Sequence, residues 1–133
     1  VRDGEGATKF IEVHVEGAVS DESAEIVARS IADSPLVKTA MAAQDANCGR
    51  IVMAAGKAGE PADRDKLAIW IGEEQITEAG IVHPDYSQDR ANMFLQEDEI
   101  VVRVDMGMGD GSASIWTCDL THGYIEINAG YRS

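Results

Sequence analysis

The residue types and spacing that most suggest chemistry lie at the start of the chain. Two glycines flank a carboxylate in Asp3-Gly4-Glu5-Gly6. Glycine permits positive φ angles and close backbone approach, so it can aim the Glu5 carboxylate into a binding site. A plain turn before the first strand explains the same residues. On composition alone, the turn is the better interpretation.

A second glycine-rich segment, Gly107-Met108-Gly109-Asp110-Gly111, invites comparison with phosphate-binding loops. Such a loop needs a helix N-terminus directly after its glycines, because the free N–H groups at that end bind the anion. Here an alternating strand pattern follows instead. Asp110-Gly111 is typical of a hairpin turn, so we expect the strands on either side of it to pair with each other.

The remaining polar groups suggest neither a metal site nor a serine nucleophile. His14, His83 and His122 have no helical i, i+4 spacing among themselves, so no metal site is predicted. The chain has no Gly-x-Ser-x-Gly elbow, and Ser112 and Ser114 fall in a predicted strand with no base beside them in the sequence.

Hydrophobic periodicity predicts the elements that must position these residues. Residues 9–15 alternate as a half-buried strand, with His14 on its polar face. Ser20 is predicted to cap a helix, and Ser34-Pro35 either ends that helix or opens a second one. Further predicted elements are a helix at Ile51–Ala55 after a cap at Asn47, strands at Leu67–Ile71, Gln75–Thr77, Glu99–Asp105 and Ser112–Cys118, irregular chain over 79–90, a short helix near Arg90–Leu95, and a helix or turn near Leu120–Ile125.

The order of these elements predicts an α+β fold. Strands and helices mix without a regular βαβ alternation, which favours helices packed on one face of a largely antiparallel sheet. The length of 133 residues fits one domain or part of one.

Composition excludes several classes of partner. The net charge is −13, from 24 acidic and 11 basic residues. Binding to nucleic acid or to an anionic membrane needs clustered Lys and Arg, which this chain lacks. Its apolar runs are too short to span a bilayer. Cys48 and Cys118 have no CxxC spacing and are interpreted as reduced thiols, so we expect a cytoplasmic protein.

Four groups of residues, in order along the chain, resemble the ornithine acetyltransferases (glutamate N-acetyltransferases). One motif alone would be weak, but four in order are specific. Cys48 stands where Trp is usual in this family, Ala46 where Pro is usual, and Gly130 where Asp is usual. The matching groups are Asp3–Lys9, Ser34–Ala40, Asp45-x-Asn47-x-Gly49-Arg50, and Cys118–Thr121 with Ile127–Ser133.

The resemblance implies an N-terminal-nucleophile acetyltransferase of which this chain is the C-terminal portion of the β-chain. Members of the family cleave themselves into α and β chains, and the new N-terminal Thr is the nucleophile. That Thr, the α-chain and the first part of the β-chain are expected upstream of Val1. An α2β2 assembly is implied, with neither cofactor nor metal, because the acetyl donor is itself a substrate.

The implied substrates are N-acetylornithine, glutamate and ornithine, with acetyl-CoA in bifunctional members. The resemblance assigns substrate binding to Glu5, Asn128 and Ser133, and it assigns no catalytic residue to this chain. A carboxylate such as Glu5 can pair with the amine of ornithine, and Asn128 offers both a donor and an acceptor. For Lys38, Arg50 and Asp119, structural roles remain the better interpretation.

Two alternatives stay open from the sequence. The first is an amidohydrolase that uses the same kind of N-terminal nucleophile with water as the acceptor. The second is a non-catalytic acidic domain that binds a partner or a small amino acid.

Overall fold

Residues 9–43 and 48–118 are described by the computed structural model, and they form the predicted α+β fold. The predicted cap at Asn47 and the predicted element near Leu120–Ile125 lie outside these residues. In chain order the elements are β1 (Phe10–Ala18), α1 (Asp21–Ala32), α2 (Pro35–Ala42), α3 (Cys48–Lys57), a 3-10 turn (Arg64–Lys66), β2 (Ala68–Ile71), β3 (Glu74–Glu78), β4 (Ile81–Val82), α4 (Gln88–Leu95), β5 (Glu99–Asp105) and β6 (Gly111–Cys118).

The six strands form one sheet in the order β4-β3-β2-β5-β1-β6. β1 and β5 run parallel, and every other neighbouring pair in this sheet is antiparallel. The prediction of helices on a largely antiparallel sheet is therefore confirmed.

Strand β1 lies inside the sheet and carries part of the core. Ile11, Val13 and Val15 are at most 1% exposed, as the alternation predicted. Burying an aliphatic side chain of this size stabilises the fold by roughly 1.5–3 kcal/mol. Helix α1 packs over β1 and β6, and α4 packs against β2 and β3, so the buried face of the sheet meets helices along its width.

The two predicted helix starts are confirmed by their caps. Ser20 Oγ accepts a hydrogen bond from Ser23 N at 3.0 Å, and Ser34 Oγ accepts one from Val37 N at 3.3 Å. Each bond satisfies an N–H group that the first helical turn leaves without a partner. The third helix is longer than predicted and continues through Gly56.

The predicted hairpin between β5 and β6 is wrong, because β1 lies between these two strands. The loop that joins them crosses the end of β1, where the N–H groups of Met108 and Gly109 both donate to the carbonyl of Gly17, at 2.6 and 2.8 Å. A Cβ on Gly109 would lie 2.8 Å from Ala18 O, and one on Gly111 would collide with the carbonyl of Ser20. The glycines therefore permit a close crossing rather than a tight turn.

A different hairpin, which the sequence did not indicate, joins the predicted strand at Gln75–Thr77 to β4, in residues predicted to be irregular. β3 and β4 pair through Thr77 with Val82 and through Glu78 with Ile81. Between them, Ala79 and Gly80 have φ angles of 52° and 79°. Positive φ at both central residues is the conformation that favours two-residue hairpins.

Candidate functional site

The three predicted substrate-binding residues, Glu5, Asn128 and Ser133, lie outside the described residues. The strands that lead to them are described. Phe10, at the start of β1, is the register partner of Cys118, at the end of β6. The sheet therefore brings together the two points from which the first and last segments of the chain continue.

Two hydrogen bonds hold the start of β1 against the turn between α4 and β5. Lys9 is only 6% exposed, and its Nζ donates to the carbonyl of Glu97 at 3.1 Å. The backbone N–H of Phe10 donates to the carbonyl of Asp98 at 2.8 Å. Lys9 is the last residue of the Asp3–Lys9 motif, but its burial could not be read from the sequence, since lysine is seldom buried.

The second and third matching groups meet in the helical layer. Arg50 Nη1, on α3, donates to the carbonyl of Leu36 on α2 at 2.9 Å. Ser30 Oγ, on α1, donates to the carbonyl of Ala54 on α3 at 2.6 Å. These bonds tie the three helices together, which agrees with the structural role predicted for Arg50. Lys38 is half-buried on α2.

A cleft of about 240 Å³ opens where these helices meet. Exposed apolar side chains, Leu36 at 47% and Met53 at 55%, lie at its edge. Its charged groups are Asp33, Arg50 and Lys57. The described residues place no buried, inward-facing catalytic group in it.

A chain of polar contacts crosses the sheet face opposite α1. His14 Nδ1 lies 2.8 Å from Ser114 Oγ, and that hydroxyl donates to Glu12 Oε2 at 3.3 Å. On its other side, His14 Nε2 lies 3.5 Å from Glu16 Oε1. His14 was predicted on the solvent face, and its side chain is 33% exposed.

The same chain continues through an ion pair to an aromatic ring. Arg103 Nε donates to Glu16 Oε1 at 2.5 Å, and Arg103 Nη2 donates to Oε2 at 3.2 Å. This hydrogen bond from Arg103 lowers the pKa of the Glu16 carboxyl below its usual value. The Arg103 guanidinium also stacks 4.2 Å from the centroid of the Trp70 ring.

The contact between Ser114 and His14 is not sufficient to assign a nucleophile. Ser114 Oγ lies within hydrogen-bond distance of both His14 Nδ1 and Glu12 Oε2, and the tautomer of His14 decides the direction of the shorter contact. The contact joins residues 100 positions apart, which explains why sequence spacing could not reveal it.

The described residues give no support to a metal site or a membrane span. Within residues 9–43 and 48–118, no group of three or more His, Cys, Asp or Glu side chains could hold a metal ion. His83 Nε2 lies 3.5 Å from Glu78, and its Nδ1 accepts from Asp85 N. His122 and Asp119 lie outside the described residues. No helix in the described part of the chain is long and apolar enough to cross a membrane.

Comparison with known proteins gives matches that run the length of the chain. A sequence model of the ArgJ family matches residues 1–133. The chain is 62% identical to the "Arginine biosynthesis bifunctional protein ArgJ" of Zymomonas mobilis subsp. mobilis and 57% identical to that of Brucella suis biovar 1. Each match covers 100% of this chain and 32% of the relative.

The fold of the chain also matches a solved structure of an ArgJ protein. The crystal structure of the arginine biosynthesis bifunctional protein ArgJ from Bacillus halodurans matches with a TM-score of 0.92 and 42% identity. The match covers 98% of this chain and 61% of that one. The chain thus spans about a third of the length of the curated relatives that it matches. The predicted resemblance is confirmed, and the chain belongs to the ArgJ family.

Proposed function

We propose that this chain is the C-terminal part of an acetyltransferase that moves an acetyl group from N-acetylornithine to glutamate in arginine biosynthesis. Membership of the ArgJ family supports the proposal, and relatives that cover the whole chain carry arginine biosynthesis in their names. Residues 1–133 are then one portion of a β-chain, and the family's remaining residues complete the enzyme.

The proposed reaction has two half-reactions on an N-terminal Thr contributed by the part of the family's proteins that this chain does not match. The Thr hydroxyl attacks the acetyl carbonyl, the C–N bond breaks, and ornithine leaves with the proton of the hydroxyl. The amine of glutamate then attacks the acetyl-threonine ester, which forms N-acetylglutamate and returns the proton to Thr. The two half-reactions together need only the Thr, N-acetylornithine and glutamate.

The contribution proposed for this chain is to bind the amino-acid substrate. The register pairing of Phe10 with Cys118 is the observation that carries this assignment. Glu5 is five residues from Phe10, a span of at most about 18 Å, and Asn128 and Ser133 follow Cys118 in the chain, which ends the neighbouring strand. In this proposal the Glu5 carboxylate pairs with the ammonium group of the substrate. Asn128 and Ser133 form hydrogen bonds with the other polar groups of the substrate.

The proposed assembly consists of this chain, the rest of the β-chain and the α-chain, as an α2β2 enzyme in the cytoplasm. The charge of −13 makes nucleic acid and anionic membranes poor partners for such an enzyme. The helical layer around α2 and α3 has a structural role in this assignment, because Arg50 bonds a helix carbonyl.

The test uses a family-length protein that carries these 133 residues. It is incubated with labelled N-acetylornithine, with and without glutamate, and the products are identified by mass spectrometry. We expect an acetylated N-terminal Thr without glutamate and labelled N-acetylglutamate with it. Labelled acetate that forms equally in both samples would identify an amidohydrolase. No acetyl-threonine and no product would support a non-catalytic domain.

The same assay extends to the second acetyl donor. The relatives are named bifunctional, and the resemblance implies that acetyl-CoA is the other donor in such members. We therefore expect N-acetylglutamate from glutamate and acetyl-CoA in the absence of N-acetylornithine. A protein that uses N-acetylornithine alone would be monofunctional and would leave the main proposal intact.

A further inference from the structure

We propose that the cleft between α1, α2 and α3 binds a free α-amino acid with an apolar side chain. The cleft has a volume of about 240 Å³. Pockets that hold drug-sized ligands measure about 300–1,000 Å³, so this cleft suits a smaller molecule. The inference goes beyond acetyl transfer, because ornithine, N-acetylornithine and glutamate all carry a charged side chain.

Charges of both signs line the cleft and are not paired with each other. The charged side chains are those of Asp33, Arg50 and Lys57. Within residues 9–43 and 48–118, none of the three forms an ion pair. A ligand with only an anionic group would be repelled by the Asp33 carboxylate, and a ligand with only a cationic group would be repelled by Arg50 and Lys57. A zwitterion instead offers an opposite charge to each of them.

Arg50 has a fixed position at the cleft and keeps donors for a ligand. Its Nη1 donates to the carbonyl of Leu36 at 2.9 Å, a bond that joins α3 to α2. A guanidinium group has five N–H donors in a planar fork, whose geometry matches a carboxylate. Because the bond to Leu36 uses one donor, we assign the others to the ligand carboxylate, together with the ammonium group of Lys57.

The walls of the cleft are held in place by bonds between the helices. Ser30 Oγ donates to the carbonyl of Ala54 at 2.6 Å, which ties α1 to α3. Since α1, α2 and α3 are already joined, binding requires little ordering of the backbone. Asp33 is the C-cap residue of α1 and is exposed, so its carboxylate is available to the ligand ammonium.

The apolar side chains at the edge of the cleft match the rest of the ligand. Leu36 and Met53 are both exposed there. A ligand side chain that covers them removes apolar surface from water, which favours binding. Methionine also adapts its shape readily to a neighbouring group. With the three charged residues assigned to the α-ammonium and α-carboxylate, an aliphatic side chain such as that of leucine is the best match.

Saturation-transfer NMR on the family-length protein tests the inference, with L-leucine as the probe. Two analogues separate the charges, because 4-methylpentanoate lacks the ammonium and 3-methylbutylamine lacks the carboxylate. We expect L-leucine to bind, and each analogue to bind at least about tenfold more weakly, as the loss of a charged hydrogen bond implies. Absence of saturation transfer to L-leucine would overturn the inference. An equal affinity for 4-methylpentanoate would do the same, because it would indicate a simple anion site.

Variants of the cleft locate the bound amino acid. Asp33→Asn and Lys57→Met each remove one charge at an exposed position. Both are expected to weaken L-leucine binding at least about tenfold and to leave the thermal unfolding midpoint unchanged. Glu73→Gln and Lys66→Met are the matched controls, because these exposed charges lie outside the cleft lining.

The comparison of cleft variants with controls decides the assignment. Unchanged L-leucine binding in Asp33→Asn or Lys57→Met would show that the amino acid binds elsewhere, and so would an equal loss in the control variants. The readout is binding rather than turnover. A failure of the acetyl-transfer assay would therefore refute the proposed function without changing this result.

Discussion

Glu74 shows how one buried side chain determines a local structure. Its side chain is 8% exposed, and its carboxylate accepts hydrogen bonds from Ser87 N at 2.9 Å and from Arg90 Nε at 2.6 Å. Ser87 caps α4, so this carboxylate joins β3 to the start of that helix. The charged hydrogen bonds from Arg90 are the stronger part of the arrangement.

The pKa of Glu74 predicts an acid-dependent loss of stability. The hydrogen bond from Arg90 lowers the pKa of Glu74 below its ordinary value of 4.5. A carboxyl whose pKa is lower in the folded state stabilises the protein above its unfolded pKa, and this contribution is lost as the pH falls through the folded pKa. We therefore expect Glu74→Gln to lower the urea midpoint at pH 7 and to have little effect once wild-type Glu74 is protonated.

Glu73 provides the control for this measurement, because it is the neighbouring carboxylate and is exposed. Urea unfolding at neutral pH and over a series of falling pH values, down to where the effect of pH on the wild-type midpoint levels off, should separate the two positions. Glu73→Gln is expected to leave the midpoint unchanged throughout the series. If the effect of Glu74→Gln stayed equally large at the acid end of the series, the ion pair with Arg90 would not be its cause.

Some residue contacts could be predicted from the sequence and others could not, and the difference lies in sequence separation. Ser20 and Ser34 cap helices that begin at the next residue, so local preference is sufficient to identify them. His14 and Ser114 come together only because β1 and β6 pair across 100 positions. For Glu5, Asn128 and Ser133 the family resemblance, rather than local chemistry, provided the assignment, and it stays a prediction.

At the scale of elements, alternation predicted the strands well but not their neighbours. β5 was predicted with its observed bounds, and β6 differs by one residue. The error concerned Asp110-Gly111, whose turn preference is compatible with a hairpin and with a crossing. Which one forms depends on β1, a strand about ninety residues earlier in the chain, inserting between β5 and β6.

Because the loop between β5 and β6 crosses the end of β1, a substitution in it should change stability in a way that a hairpin would not predict. A Cβ on Gly111 would collide with the backbone carbonyl of Ser20, which cannot move without distorting the start of α1. We expect Gly111→Ala to destabilise the protein by about 1–3 kcal/mol, the usual range for overpacking. Denaturant unfolding of the variant and the parent protein measures this difference.

Gly56 is the matched control for the same substitution. It lies inside α3, and a Cβ added there would have no atom within 4 Å. Alanine should therefore stabilise the helix by roughly 0.5–1 kcal/mol relative to glycine. Changes of opposite sign in the free energy of unfolding for Gly111→Ala and Gly56→Ala would support the crossing. Equal effects at both positions would mean that the loop does not pack on Ser20.

At the scale of the whole molecule, β1 and β6 place at one end of the sheet the two residues from which the first and last segments of the chain continue. This follows from the pairing of Phe10 with Cys118. The hydrophobic core of the described residues runs from Ile11 to Met106 and so lies within the part that the two segments enclose in sequence. Stability and substrate binding are thus expected to depend on different parts of the chain.

Removal of residues 128–133 from the family-length protein tests this separation. The deletion takes away Asn128 and Ser133 and leaves the described core residues in place. We expect acetyl transfer from N-acetylornithine to glutamate to fall by at least about a hundredfold, because the polar groups proposed to bind the substrate are lost. The thermal unfolding midpoint should change by only a few degrees, since no core side chain among the described residues is removed. Normal turnover in the truncated enzyme would refute the assignment of these residues to the substrate site. A collapse of the unfolding midpoint that matched the loss of activity would instead show that the last residues are part of the folded core.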